Sequence, residues 1–182
     1  MTNCATVCEN RSYVYGFEEC AILSRCTANI SGSDREIGFF NCQLVTDCIA
    51  AITSRDMAVG FFLCERLSGC TVVSHGSFVA NSIFGFRLSI DLVNCTAFVN
   101  SSDHFAVGFL LCRNLTTCTG AGHSPTLAEG RGFERCRTGF GCKSGPTPSS
   151  GATFHNCLMA QGTGNPTTND WANTAAGGWN MP

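Results

Sequence analysis

The stretch that decides the fold is GFFLCERLSGCT, residues 60–71. It begins with Gly60-Phe61, and Cys64, Leu67 and Cys70 follow Phe61 at successive intervals of three residues. Gly-Phe recurs along the chain at intervals of 21 to 25 residues, with a degenerate last copy: Gly16-Phe17, Gly38-Phe39, Gly60-Phe61, Gly85-Phe86, Gly108-Phe109, Gly132-Phe133 and Thr153-Phe154. A fixed period of this length indicates a stacked repeat protein.

Three further columns accompany the Phe column in nearly every copy. The first cysteine column is Cys20, Cys42, Cys64, Ser89, Cys112, Cys136 and Cys157. The Leu column is Leu23, Val45, Leu67, Leu92, Leu115 and Gly139. The second cysteine column is Cys26, Cys48, Cys70, Cys95, Cys118 and Cys142, with Cys4 one repeat earlier. Four aligned columns exclude a chance pattern.

After the second cysteine column the apolar period changes from three to two. Cys26, Ala28 and Ile30 alternate with polar neighbours, which is typical of a half-buried strand. In each copy we therefore predict a segment whose apolar residues recur at every third position, then one short strand and a variable polar loop.

A parallel β-helix-like solenoid is the fold that this pattern favours, because one copy cannot bury its apolar face but stacked copies can. We expect about seven rungs of 21–25 residues over residues 1–160, with interior Phe, Cys and Leu ladders. Residues 161–182 read as an irregular tail or cap. The Gly before each Phe is expected at a tight corner, and the chain is expected to enter the solenoid in mid-repeat, as a segment of a longer protein or one covered by a partner.

The fourteen cysteines allow three interpretations. The in-repeat spacing Cys-x5-Cys is unlike the closer pairs of zinc sites, so no metal or other cofactor is expected. Disulfides between neighbouring turns fit a rung spacing of about 4.8 Å. However, Ser89 interrupts the first column and the second column has an odd number of cysteines, so some cysteines would have no partner. We favour cysteine as a small buried residue, which implies assembly in a reducing compartment.

The composition excludes several classes of function. Charged residues make up 13% and the net charge is −2, so no basic surface is available for nucleic acid. No run approaches the roughly 20 apolar residues that span a bilayer, and no signal peptide begins the sequence.

Polar loops carry the candidate binding residues. The predicted loops are residues 31–37, 53–59, 74–84, 100–107 and 122–131. Their candidate binding residues are Asp34, Arg55, Asp56, His75, Asp103, His104 and His123. The three aspartates recur at comparable positions, whereas a polysaccharide hydrolase needs one pair of facing carboxylates, so no catalytic residue is assigned.

Two phenylalanine doublets, Phe39-Phe40 and Phe61-Phe62, raise a separate question. The first Phe of each belongs to the interior ladder. The second is expected either outside, as an apolar stripe for a partner or second chain, or partly buried under a loop.

Residues 60–71 and the unit GFLLCRNLTTCTG, residues 108–120, resemble the Gly-Phe-x-x-Cys-x-x-Leu-x-x-Cys-Thr-Gly repeats of bacteriophage and prophage tail fibres. The ending WANTAAGGWN, residues 171–180, is similar to the ends of such proteins. The resemblance implies a structural and receptor-binding segment of a virion tail assembled in bacterial cytoplasm, with a cell-surface receptor or glycan as partner. It also implies a homotrimer or a longer solenoid.

A second resemblance, to bacterial surface leucine-rich repeats, implies a secreted or surface interaction protein with a leucine-rich-repeat-like solenoid. The chain lacks their Ile-Pro step after the strand and has Cys where they carry Val or Ile. A polysaccharide-binding or polysaccharide-cleaving β-helix protein is the further alternative.

Overall fold

The computed structural model describes residues 1–76, 82–101, 105–124 and 130–144, and also 154–155, 157 and 162–163. Every regular element in these residues is a β-strand. In chain order the strands are β1 Ala5–Glu18, β2 Ile22–Ser24, β3 Thr27–Phe40, β4 Leu44–Thr46, β5 Ile49–Ser54, β6 Met57–Phe62, β7 Glu65–Ser68, β8 Thr71–Gly76, β9 Ser82–Arg87, β10 Ile90–Val93, β11 Thr96–Asn100, β12 Phe105–Leu110, β13 Arg113–Thr116, β14 Thr119–His123, β15 Gly130–Glu134, β16 Arg137–Phe140, β17 Cys142–Ser144, β18 Phe154–His155 and β19 Gly162–Thr163.

The strands form three faces around one core. The first face contains β2, β4, β7, β10, β13 and β16. The second contains the beginnings of β1 and β3 and then β5, β8, β11, β14, β17 and β19, while the third contains the ends of β1 and β3 and then β6, β9, β12, β15 and β18. Strands β1 and β3 bend from the second face into the third without a break.

Parallel pairing of each strand with its equivalent one repeat later confirms the predicted β-helix-like solenoid. The described residues complete about five turns, fewer than the predicted seven, and the seventh copy falls largely outside them. Three strands per turn replace the one strand expected per copy. This cross-section also differs from a leucine-rich repeat, which contributes one strand and a helical segment per turn.

The Phe column is a continuous stack of rings inside the third face. Five of its rings are fully buried: Phe39, Phe61, Phe86, Phe109 and Phe133. Neighbouring rings lie 4.5 to 5.0 Å apart between centroids and within 10° of parallel. Because strands in a sheet are separated by about 4.8 Å, the backbone register itself holds the rings in stacking contact.

Both cysteine columns lie at corners of the solenoid. A residue with positive φ, such as Asn41 at 51° or Asp47 at 52°, precedes each member from Cys4 to Cys142. This left-handed residue turns the backbone, and the cysteine after it points inward. The thiols then donate hydrogen bonds to the carbonyl two residues earlier and, in most rungs, to one on the preceding turn, as Cys64 does to Phe62 O and Phe39 O at 3.5 Å each.

Ser89 indicates that the cysteine side chains at these corners act as hydrogen-bond donors and not only as small apolar residues. Its hydroxyl donates to Phe61 O at 3.5 Å and to Arg87 O at 3.2 Å, reproducing the pattern of its cysteine neighbours. The carbonyl two residues earlier already accepts a backbone amide, as Arg87 O does from the Leu63 amide at 3.1 Å, and a small side chain that donates gives it a second hydrogen bond. All fourteen cysteines are free thiols.

The Gly before each Phe lies in the middle of a strand, so its expected position at a corner is wrong. A Cβ added to Gly60 would lie 2.4 Å from Val72 Cγ2 and 2.6 Å from Gly85 O. The third face therefore approaches the second too closely for any side chain at this position. Glycine is required by the narrow cross-section and not by a turn.

The predicted loops are partly strands. Residues 31–37 all belong to β3, and residues 53–54 and 57–59 belong to β5 and β6. The sequence prediction missed this because Ser, Asp and Arg in an outward-facing strand resemble loop composition. The corner between the second and third faces is consequently short, and the predicted site residues Asp34, Arg55 and Asp56 lie there.

Candidate binding face

The exterior of the second face carries two rows of side chains in register. The central row is Val7, Asn29, Ala51, Val73, Phe98 and Ala121. The polar row is Glu9, Ser31, Thr53, His75, Asn100 and His123. Since each row adds one side chain per turn, its members repeat at about 4.8 Å along the solenoid axis.

An open groove of about 280 Å³ lies over the first four turns of this face. Its lining includes the first four members of both rows, together with parts of Cys8, Ile30 and Ile52. The small side chain of Ala51 lies between Asn29 and Val73 in the central row, and the row begins with Val7, which is 67% accessible. This difference in side-chain size produces the concavity.

The side chains that line the groove suit a neutral polar ligand. Ser31 and Thr53 each offer a hydroxyl that both donates and accepts, and Asn29 adds an amide that does the same. Among its described lining residues Glu9 is the one carboxylate. Phe98 continues the central row beyond the groove with 44% of its surface exposed, which provides an aromatic surface for stacking.

Two predicted site residues, His75 and His123, lie on the polar row with Asn100 between them. The Asn100 Nδ2 atom lies 3.4 Å from His75 Nδ1. His123 Nδ1 is buried and, among the described residues, has no hydrogen-bond partner. The two histidines are in strands β8 and β14 and not in loops, and two turns of the solenoid separate them.

Three other predicted residues lie at the corner between the second and third faces. Asp34 and Asp56 occupy corresponding positions on neighbouring turns, and both are half-buried, while Arg55 is exposed. They stand beside the groove and are not part of its lining. Asp103 and His104 lie outside the described residues.

A buried carboxyl group, Glu36, lies beneath this corner. Its side chain is fully inaccessible, accepts a hydrogen bond from Ser54 Oγ, and accepts another from the Asp34 backbone amide at 3.2 Å. Burial is the main cause that raises the pKa of Glu36, and these two hydrogen bonds oppose it. The nearby Asp34 and Asp56 carboxylates add to the rise. The arrangement therefore disfavours the charged form of this carboxyl group, which lies inside the wall and outside the lining of the groove.

The second Phe of each doublet lies outside the main core, as one of the two alternatives predicted. Phe40 and Phe62 are half-buried on the exterior of the third face. They pack there against a separate buried cluster of Ile37, Val59, Phe84 and Val107. Arg87 lies over the Phe62 and Phe84 rings, 5.4 and 5.1 Å from their centroids. The third face thus carries a second apolar layer.

Sequence reasoning missed most residues of the groove, although the signal was present. The alternation that assigns Ala28 and Ile30 to the interior also assigns Asn29 and Ser31 to the exterior. No sequence signal showed that the exterior of this face, and not the corner, would be concave.

Comparison with protein-family models, with curated proteins and with solved structures finds no match for this chain. Within the described part of the chain, no cluster of three or more metal-ligating side chains occurs. No helix there is long and apolar enough to cross a membrane.

Proposed function

We propose that this chain is a structural and receptor-binding segment of a phage-type tail fibre or spike, and that the second face binds a cell-surface glycan. The observation that carries the proposal is the pair of outward rows stacked in register over an open groove. A ligand that repeats along its length can contact equivalent positions on successive turns. Extended concave surfaces of this kind are how stacked-repeat proteins bind their partners.

A glycan suits the groove better than the other polymers. Hydroxyl and amide side chains match a ligand rich in hydroxyl groups, and the apolar members of the central row can accept the less polar faces of sugar rings. Nucleic acid is disfavoured because the net charge is −2 and phosphate binding depends on basic side chains.

Binding is favoured over cleavage by the same lining. Hydrolysis of a glycosidic bond uses two carboxyl groups on opposite sides of the bond. The described lining provides Glu9 alone, and Glu36 is enclosed in the wall. A polysaccharide-cleaving enzyme is therefore the second candidate, and release of soluble sugar from a bound polysaccharide would establish it.

A matched pair of substitutions in one turn tests the binding role. Thr53→Arg places a long side chain in the groove, and Thr46→Arg places the same side chain on the exterior of the first face. On an array of bacterial surface polysaccharides, wild type and Thr46→Arg should bind the same glycans, and Thr53→Arg should lose at least tenfold in affinity. Equal binding by both variants, or no binding by the wild type, would contradict the proposal.

A homotrimer assembled in bacterial cytoplasm is the associated proposal for the quaternary state and location. The apolar exterior of the third face supports it, since Tyr13 and Tyr15 there are 65% and 43% exposed and large exposed apolar patches are typical of interfaces. Light scattering gives the test: a mass of three chains supports the trimer, and a mass of one chain contradicts it.

A further inference from the structure

The first two members of the first cysteine column, Cys20 and Cys42, are neighbouring thiols of different accessibility. Cys20 and Cys42 follow one another on neighbouring turns, and the Gln43 amide donates to Cys20 O at 3.0 Å in the same register. Stacked positions are about 4.8 Å apart between Cα atoms, inside the range of about 4.4 to 6.8 Å that a disulfide bridges.

Accessibility distinguishes this pair from the rest of the column. Cys20 is half-buried, whereas Cys42, Cys64, Cys112, Cys136 and Cys157 are fully buried. Within this column a reagent in solution therefore meets Cys20 first. Cys42 lies directly behind it, with its Sγ atom 3.4 Å from Phe40 O and 3.7 Å from Phe17 O.

The two thiols also differ in acidity. The interaction with the neighbouring Cys64 thiol is the main cause that lowers the pKa of Cys42 to about 7, and burial opposes it. Burial raises the pKa of Cys20. Because the thiolate is the attacking form in each exchange step, the lowered pKa of Cys42 favours the second step, in which Cys42 attacks the sulfur of Cys20.

We propose that Cys20 and Cys42 are a redox-active pair, which a low-molecular-weight disulfide such as oxidised glutathione converts into a disulfide joining the first two turns. Cys20 attacks the external disulfide, forms a mixed disulfide and releases one small thiolate. Cys42 then attacks Cys20 Sγ, displaces the second small thiolate and closes the protein disulfide. The two protein thiols lose two electrons, the external disulfide gains them, and the two thiol protons end on the two released thiols.

The second cysteine column offers an internal comparison. Cys4 is also half-buried and lies one turn before Cys26. The Cys26 Sγ atom lies 3.4 Å from Ser24 O and 3.8 Å from Met1 O. This second pair therefore serves as the control for Cys20 and Cys42.

The test uses the reduced, natively folded 182-residue protein. After incubation with oxidised glutathione at pH 8, free thiols are counted in denaturant and the cysteine peptides are mapped by mass spectrometry without reduction. We expect two fewer free thiols than the fourteen present, with Cys20 and Cys42 joined in one peptide pair.

Two variants make the result specific. Cys20→Ser should form no link and no glutathione adduct in the first column, and Ser89 shows that a serine fits an equivalent corner. Cys4→Ser should still lose two thiols. Retention of all fourteen thiols by the wild type, a glutathione adduct that persists on Cys20, or a link between Cys4 and Cys26 would each overturn the proposal.

Discussion

Replacing Phe86 by alanine removes the central ring of the interior stack. Phe86 is fully buried, and its ring lies 4.9 Å from that of Phe61 and 4.8 Å from that of Phe109. Truncation of a buried Phe to Ala costs about 3 to 5 kcal/mol. Two ring contacts are lost at once, each worth about 0.5 to 1.5 kcal/mol beyond burial, and backbone ladders on both sides resist collapse of the cavity. We therefore expect a loss near the upper end, about 5 kcal/mol.

The assay is chemical unfolding followed by circular dichroism, with Phe140→Ala as the control. Phe140 is 56% exposed on the first face, so its truncation should change the free energy of unfolding by less than about 0.5 kcal/mol. If Phe86→Ala does not fold, Phe86→Leu, which keeps most of the volume but loses both ring contacts, should cost about 2 kcal/mol. Equal stabilities of the Phe86 and Phe140 variants would refute the stacked interior.

Three further substitutions test other parts of the solenoid. Gly85→Ala should lower the midpoint of unfolding strongly, because its Cβ would lie 2.5 Å from Gly108 O and 2.6 Å from Ala97 Cβ; an unchanged midpoint would contradict the close approach of the two faces. Ser89→Cys should leave the midpoint nearly unchanged, and a marked loss would show that the hydroxyl and thiol are not equivalent at the corner. Burial raises the pKa of Glu36 above its ordinary value of 4.5, so its stabilising contribution is complete below that value and is lost as pH rises through the folded-state pKa. Unfolding curves from pH 4 to 8 should therefore show the wild type losing stability relative to Glu36→Gln, and parallel curves would be inconsistent with a raised pKa of Glu36.

The fold could be predicted from the sequence because its constraints repeat. A ladder needs the same residue type at the same place on every turn, so the Phe, Cys and Leu columns are visible without any structure. The number of strands per turn could not be read in the same way. The first face is only three or four residues long in each turn, and the left-handed residues that bound it, such as Leu63 and Leu111, carry no turn signature.

The candidate site was predicted less well than the fold. Thr53 and Val73 are ordinary strand residues, and only the stacked register places them beside Asn29 and His75. The polar composition of the predicted loops favoured Asp34, Arg55 and Asp56 as binding residues, but these residues are polar because they lie at a corner. A groove on the exterior of a solenoid depends on differences in side-chain size between turns, and these differences appear only once the turns are aligned in space.

The most direct test of the central claim is to map the surface that a bound glycan covers. Hydroxyl-radical footprinting of the wild-type protein, with and without a polysaccharide that it binds, reports the accessibility of individual side chains. The account predicts that Val73 and His75 become protected while Ile22 and Leu44, exposed on the first face, stay equally reactive. Protection confined to the first face, or none on the second face at saturating ligand, would contradict it.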